Sequence, residues 1–187
     1  MSSNSGPWRP EFLKALRLLA KVSEAMVQRG LPRPVLVGGG AAEYYSGSAL
    51  MTGDIDVTSP VQPELEEELQ KAGFIRPSGS GKSLRGWIHP KLGFGLEIVA
   101  NAPMGGGADA ARFQLVRPIG QQDLFRLISV EDLIADRVAQ FSSGTAREML
   151  DQARLLFCLY ADLDRDYLDA RIRDETAGEY DIGILQH

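Results

Sequence analysis

The sequence predicts an α+β fold of mixed α/β character, on three observations. An amphipathic helix opens the chain, short apolar runs separated by Gly, Pro and Ser fill the middle, and helical spacing returns from Ser129 to about Arg173. At the front, Phe12, Leu16, Leu19, Val22 and Met26 recur at intervals of three and four, so Glu11 to Arg29 reads as a helix with Gly30 at its C-terminal cap. Pro32 and Pro34 end it. Val35-Leu36-Val37 is a β-branched run entering three glycines, hence a buried strand meeting a tight turn, and Ala41 to Tyr45 restarts as a helix. Asp54 to Thr58 alternates acid and aliphatic, the pattern of a strand with one wet face. Pro63 to Ala72 is a charged helix stopped by Gly73.

The short runs Phe74-Ile75, Gly86 to His89, Gly95 to Ala100 and Phe113 to Val116 read as strands, and Met104 to Ala108 as a glycine-rich loop. Ser129 with Asp132 three residues on forms a capping-box pattern in which Asp stands for Glu. Leu133, Ile134, Val138 and Phe141 make the stripe that follows, and Thr145 to Ala161 and Asp164 to about Arg173 complete a helical tail. The organisation expected is a loose leader over residues 1–10, a core over 11–128 and a C-terminal helical segment over 129–187 packed on that core.

Composition excludes several classes. With 44% hydrophobic and 24% charged residues the chain is an ordinary globule, large enough to bury a core without staples. One cysteine, Cys158, leaves no intramolecular disulfide and no thiolate cluster, and its apolar neighbours Leu155 to Leu159 suggest a core position. Two histidines cannot make a histidine-rich zinc site, so a metal here would be hard and carboxylate-bound: Mg²⁺ or Mn²⁺. The polar stretch Met1 to Pro10 lacks the apolar centre of a signal peptide, and nothing approaches a membrane span, so a cytoplasmic location is expected. A net charge of −5 argues against coating nucleic acid through bulk electrostatics.

The chemistry concentrates at two places. Residues two apart on a strand point the same way, so Asp54 and Asp56 aim both carboxylates into one cleft while Ile55 and Val57 face the core. Adjacent carboxylates repel unless a cation lies between them. Glu97, an acid among aliphatics in Gly95-Leu96-Glu97-Ile98-Val99, has the form of a third acid. About fifteen residues before the aspartates, Gly38-Gly39-Gly40 lies between strand and helix. Free backbone N–H groups and a helix N-terminus meet there, with no side chain to obstruct a phosphate.

The segments Leu36-Val37-Gly38-Gly39-Gly40-Ala41-Ala42 and Thr52-Gly53-Asp54-Ile55-Asp56-Val57 resemble the signature of the DNA polymerase β-type nucleotidyltransferase superfamily. That signature is an aliphatic, Gly-Gly or Gly-Ser, a helix, and Asp-x-Asp on the next strand. The resemblance is to small bacterial members: toxin-type enzymes of abortive-infection and toxin–antitoxin systems, and antibiotic nucleotidyltransferases. It implies a mixed sheet of about five strands and transfer of a nucleoside monophosphate from an NTP to a hydroxyl. It further implies Asp54, Asp56 and Glu97 as catalytic metal ligands, and Gly38, Gly39, Gly40 and Thr52 as the nucleotide-binding turn. The segment from Ser129 to Arg137 resembles the helix after the core in these relatives, which nominates Arg137 as a phosphate contact. The acceptor stays open among a small molecule, tRNA and a protein hydroxyl. A non-catalytic relative acting on an antitoxin-type protein partner is the alternative reading. One departure bears on it: Leu50 stands where many relatives carry an arginine.

Look-alikes fall away on their own chemistry. Gly79-Ser80-Gly81-Lys82-Ser83 imitates the end of a P-loop, but Arg76 occupies the place of the first glycine and Arg85-Gly86-Trp87 follows instead of an apolar helix. Lys82 still has the reach to contact a phosphate. Asp162, Asp164 and Asp166 are spaced like calcium ligands, yet Tyr167 replaces the glycine that such a loop requires. These three read as acids at a helix start. His89, before Pro90, reads as a loop residue, and Trp87 and Tyr44 as packing residues.

Overall fold

Three consecutive aliphatic residues with no polar alternation belong in a strand covered on both faces. Val35–Val37 (β1) is such a strand: all three residues are buried and it lies inside a sheet. The structure is a computed structural model that describes residues 6–77, 86–144 and 146–186. Lys82 and the Gly79–Ser83 turn lie outside the described residues. The chain divides into two compact units, Met1–Leu127 and Ile128–His187.

In the first unit α1 spans Pro10–Gln28, with proline at the first helical position, where its missing N–H costs nothing. After β1 come α2 (Gly38–Tyr45), β2 (Asp54–Thr58), α3 (Gln62–Lys71), β3 (Trp87–His89), β4 (Phe94–Ala100), β5 (Gln114–Val116) and β6 (Phe125–Leu127). The strands form one mixed sheet in the order β3-β4-β2-β1-β6-β5. β1 pairs antiparallel with β2 and parallel with β6, and β2 pairs parallel with β4. There are six strands where about five were expected. Phe74-Ile75 contributes only a bridge from Ile75 to Ile88, while β6 was not anticipated. The three-residue span of β6 is too short to show alternation, and its exposed Arg126 sits between buried Phe125 and Leu127.

The apolar stripe of α1 (Phe12, Leu16, Leu19, Val22, Met26) is wholly buried, and the Phe12 ring meets the Phe94 ring of β4 at 6.3 Å between centroids. Phe94 alternates with Gly95 along the strand, so α1 lies against the face opposite the one that Gly95 and Glu97 occupy. Of the expected leader, Trp8 stacks on Tyr44 at 4.9 Å and donates its indole N–H to the Tyr44 carbonyl, and Pro10 already opens α1. Among the described residues no helix is long and apolar enough to cross a membrane.

The second unit holds α4 (Val130–Ser142), α5 (Glu148–Leu159), α6 (Arg165–Glu175) and a final 3₁₀ turn, Ile182–Gln186. Ser129 caps α4 by accepting the Asp132 N–H at 3.1 Å, and its hydroxyl donates to Asp132 Oδ2 at 2.7 Å. The other oxygen of this fully buried carboxylate takes the Tyr167 hydroxyl at 2.8 Å and Arg171 Nε at 3.1 Å, which ties α6 to α4. Asp164 caps α6 by accepting the Tyr167 N–H at 3.1 Å. Cys158 is exposed, contrary to its expected place in the core. The buried stripe of α5 is Leu150, Ala153 and Leu156, and a residue two beyond the stripe faces away from it.

Leu36, fully buried at the centre of the sheet, has no room to be replaced by solvent. Leu36→Ala is expected to lower unfolding free energy by about 2–5 kcal/mol, read from the midpoint of a urea titration at unchanged slope.

Candidate active site

The site grows from the junction between β1 and α2. Val37 is extended (φ −133°), and Gly38 then turns into the left-handed region at φ +57°. An L-residue pays about 1–2 kcal/mol for that conformation. Space excludes a side chain there as well, because a Cβ on Gly38 would overlap the carboxylate of Asp56. The three glycines are themselves the first turn of α2, which therefore begins at Gly38 and not at Ala41. Their N–H groups are among the four that a helix start leaves without intrahelical partners. One of them, Gly39 N–H, donates to Asp56 Oδ2 at 3.2 Å. A Cβ on Gly39 would stand 2.8 Å from Thr52 Oγ1, whereas one on Gly40 would meet Leu36 Cδ1 at 2.8 Å. Gly38 and Gly39 thus lie against the acid strand, and Gly40 lies against the core.

On β2, Ile55 and Val57 are buried while Asp54 is exposed and Asp56 half-buried. Both carboxylates share one face. β4 runs parallel beside β2 in a register that sets Asp54 opposite Gly95 and Asp56 opposite Glu97. A Cβ on Gly95 would overlap Asp54 Oδ1, so this glycine is the floor on which that carboxylate rests. Nothing in the sequence marked Gly95, because only the register reveals which residue it underlies. Glu97 is half-buried on the same face, next to Asp56. Among the described residues no three or more His, Cys, Asp or Glu side chains are gathered so as to hold a metal ion. The donor set that fits a hard cation is the Asp54–Asp56 pair, with Glu97 one strand away.

A second layer holds the approach to β2, and the sequence reading missed it. Glu43 on α2 is completely buried. Its carboxylate accepts Arg9 Nε at 2.6 Å and Nη2 at 2.9 Å, the Thr52 N–H at 2.7 Å and the Ser48 hydroxyl at 2.9 Å. Arg9 also donates to the Thr52 carbonyl. Thr52 is therefore gripped through both backbone groups, and its hydroxyl lies 3.3 Å from Asp54 N and 3.1 Å from Asp54 O. At Leu50, where the resemblance would imply an arginine, the N–H donates to Ser46 Oγ at 2.9 Å. A guanidinium does reach this loop, but it comes from Arg9, before α1. The sequence signal was faint: one acid in Gly-Gly-Gly-Ala-Ala-Glu, on the helix that bears the glycine turn.

Burial pushes the Glu43 carboxyl up, but the bonds from Arg9, the Thr52 N–H and Ser48 outweigh it and hold the group below its ordinary value of 4.5. Arg137 lies on α4 of the second unit, buried, with Nη1 3.6 Å from Asp136 Oδ2. His89 ends β3 instead of lying in a loop, its ring edge-on to Phe74 at 5.3 Å. Trp87 is buried beneath the Arg76 guanidinium.

Glu43→Gln keeps the shape but loses the charge, and is expected to cost about 1.5–3 kcal/mol at neutral pH. Because the folded group titrates below its unfolded value, its contribution is full above 4.5 and fades as pH falls through the lowered folded value. The stability gap between wild type and Glu43→Gln, from urea titrations across pH, should therefore close on the acid side. A gap independent of pH would contradict this role.

No protein-family model and no curated protein matches the sequence. Solved structures do match the fold. An antigenic nucleotidyltransferase-like protein from Paracoccidioides brasiliensis superposes with a TM-score of 0.59 at 15% identity, over 94% of this chain and 92% of that one. ANT(2")-Ia in complex with adenylyl-2"-tobramycin superposes with a TM-score of 0.57 at 17% identity, over 88% of this chain and 98% of that one. A solution structure of the antibiotic-resistance factor ANT(2'')-Ia gives 0.51 at 18% identity, over 88% and 90%. With its six-stranded mixed sheet and its β1–α2 glycine start, the chain shares the fold of these nucleotidyltransferase-like structures.

Proposed function

We propose that this chain is an enzyme that transfers a nucleoside monophosphate from an NTP to an acceptor hydroxyl and releases pyrophosphate. The observation that carries the reading is the contact of Gly38 and Gly39 with Asp56, which brings an anion-accepting helix start against a pair of carboxylates. Two adjacent carboxylates repel a triphosphate, and a divalent cation reverses that sign. Mg²⁺ is commonly held by one or two carboxylates with substrate phosphates and water completing its shell, so Asp54 and Asp56 suffice without a closed protein cage. When bound, Mg²⁺ or Mn²⁺ would supply Lewis acidity at the phosphoryl oxygens.

The chain's own groups do the rest. N–H groups of the Gly38–Gly40 turn receive phosphate oxygens, and Thr52 keeps the start of β2 in place. The acceptor oxygen attacks the α-phosphorus as the bond to the bridging oxygen breaks, and pyrophosphate leaves with that electron pair. Glu97, next to Asp56, takes the proton of the acceptor hydroxyl. Arg137 and Lys82 remain proposed phosphate contacts. For the acceptor we favour a small molecule, because one structural neighbour holds an adenylylated tobramycin. The second reading, a non-catalytic relative working by protein contact with an antitoxin-type partner, draws on Leu50 and on the lack of a gathered acid triad among the described residues.

The test is pyrophosphate release with each NTP, Mg²⁺ or Mn²⁺, and a panel of aminoglycosides, tRNA and protein hydroxyls. Asp54→Asn and Asp56→Asn should each cut turnover by about a hundredfold or more at unchanged melting temperature. Transfer that survives both substitutions would overturn the assignment. Absence of NTP binding by calorimetry at millimolar concentration would favour the protein-contact reading. Gly95→Ala displaces the Asp54 carboxylate, and should lower kcat more than it lowers stability.

A further inference from the structure

The first unit carries a cavity of about 350 Å³ with a composition unlike the rest of the chain. Lys14, Arg17 and Lys21 reach it from α1 and Lys91 from the β3–β4 turn, and no acid lines it. The chain has 25 acidic residues and only five lysines, so three of the five line one cavity in a protein of net charge −5. No carboxylate among the described residues pairs with these four cations. Arg17 is held in place by donating Nε to the Ile119 carbonyl at 2.9 Å, a bond that leaves its charge uncompensated. Elsewhere arginines are spent on acids: Arg9 on Glu43, Arg29 on Glu67 and Glu68, Arg33 on Glu24.

Leu18, Leu92 and His89 complete the lining of this open pocket. His89 Nδ1 is buried with no hydrogen-bond partner among the described residues. The half-buried amide of Gln121 closes the wall. Four cations together with apolar Leu18 and Leu92 fit a ligand with a flat apolar body and several anionic oxygens, and the volume lies at the small-molecule end of ligand pockets. His89 pairs with Phe94, which faces away from Glu97, so the cavity opens on the sheet face opposite the aspartates.

We propose that this cavity binds a nucleoside phosphate without a metal, as a site separate from the carboxylate face. The cations hold the phosphate, the leucines and His89 hold the base, and Gln121 supplies a polar contact to it. The proposal does not rest on the transfer reaction, and each can fail alone.

The experiment is calorimetric titration of the full chain in EDTA with ADP, AMP, inorganic phosphate and a short single-stranded RNA. ADP should bind one-to-one, and more tightly than inorganic phosphate. Replacing Lys14, Lys21 and Lys91 together by Ala should weaken it by at least about tenfold at unchanged melting temperature, and replacing the same three by Arg should restore it. Asp54→Asn with Asp56→Asn should leave it unchanged, which separates this site from the carboxylate face. No ADP binding at millimolar concentration, or equal binding by the alanine variant, would overturn the proposal. So would phosphate binding as tightly as ADP, which leaves the leucines no role, or RNA binding more tightly, which makes the surface a nucleic-acid contact.

Discussion

The whole arrangement depends on β2 lying between β1 and β4 in the sheet. A carboxylate on β2 can touch the glycine start that follows β1 on one side and the acid of β4 on the other only from that central position. Both contacts demand the absence of a side chain. Gly38 yields its space to Asp56, and Gly95 yields its space to Asp54. The two aspartates are thus seated by missing atoms as much as by bonds, and their positions follow from backbone packing, which does not relax as a flexible side chain would.

The Glu43 network extends the same constraint to the loop before β2. A carboxylate fully removed from water is tolerable only when its oxygens are saturated, and here Arg9, Thr52 and Ser48 supply that saturation. The result couples three separated stretches: the residue before α1, the helix that begins with the glycines, and the turn into β2. Any slip of β2 by one residue would turn both aspartates into the core. A network that grips Thr52 through its N–H and its carbonyl opposes that slip at the strand's entrance.

Alternation and helical spacing made the central features readable in the sequence: the amphipathic α1, the continuous apolar β1, and the acid–aliphatic alternation of β2. Each is local, so its period is visible in a handful of residues. What stayed hidden is relational. Gly95 matters only because β2 and β4 pair in parallel register, and β6 is too short to carry a period. Arg9 and Glu43 are an ion pair 34 residues apart in the chain. Cys158 shows the opposite error, where a run of apolar neighbours suggested burial but helical geometry turned the residue outward.

Charge is segregated in this unit. Asp54, Asp56 and Glu97 share one face of the sheet, while Lys14, Arg17, Lys21 and Lys91 surround a cavity on the other. Lys14, Lys21, Lys91 and Asp54 are exposed, and at physiological ionic strength salt screens interactions between exposed charges over about 8 Å. Lysines behind the sheet therefore do little to relieve the repulsion between carboxylates in front of it. A divalent cation arriving with a triphosphate would relieve that repulsion, which is why such a ligand suits the carboxylate face. The cavity behind has the complementary need and can accept an anion with no metal to mediate. One sheet separates two electrostatic environments, so whether a given anion needs a metal to bind depends on which face it meets.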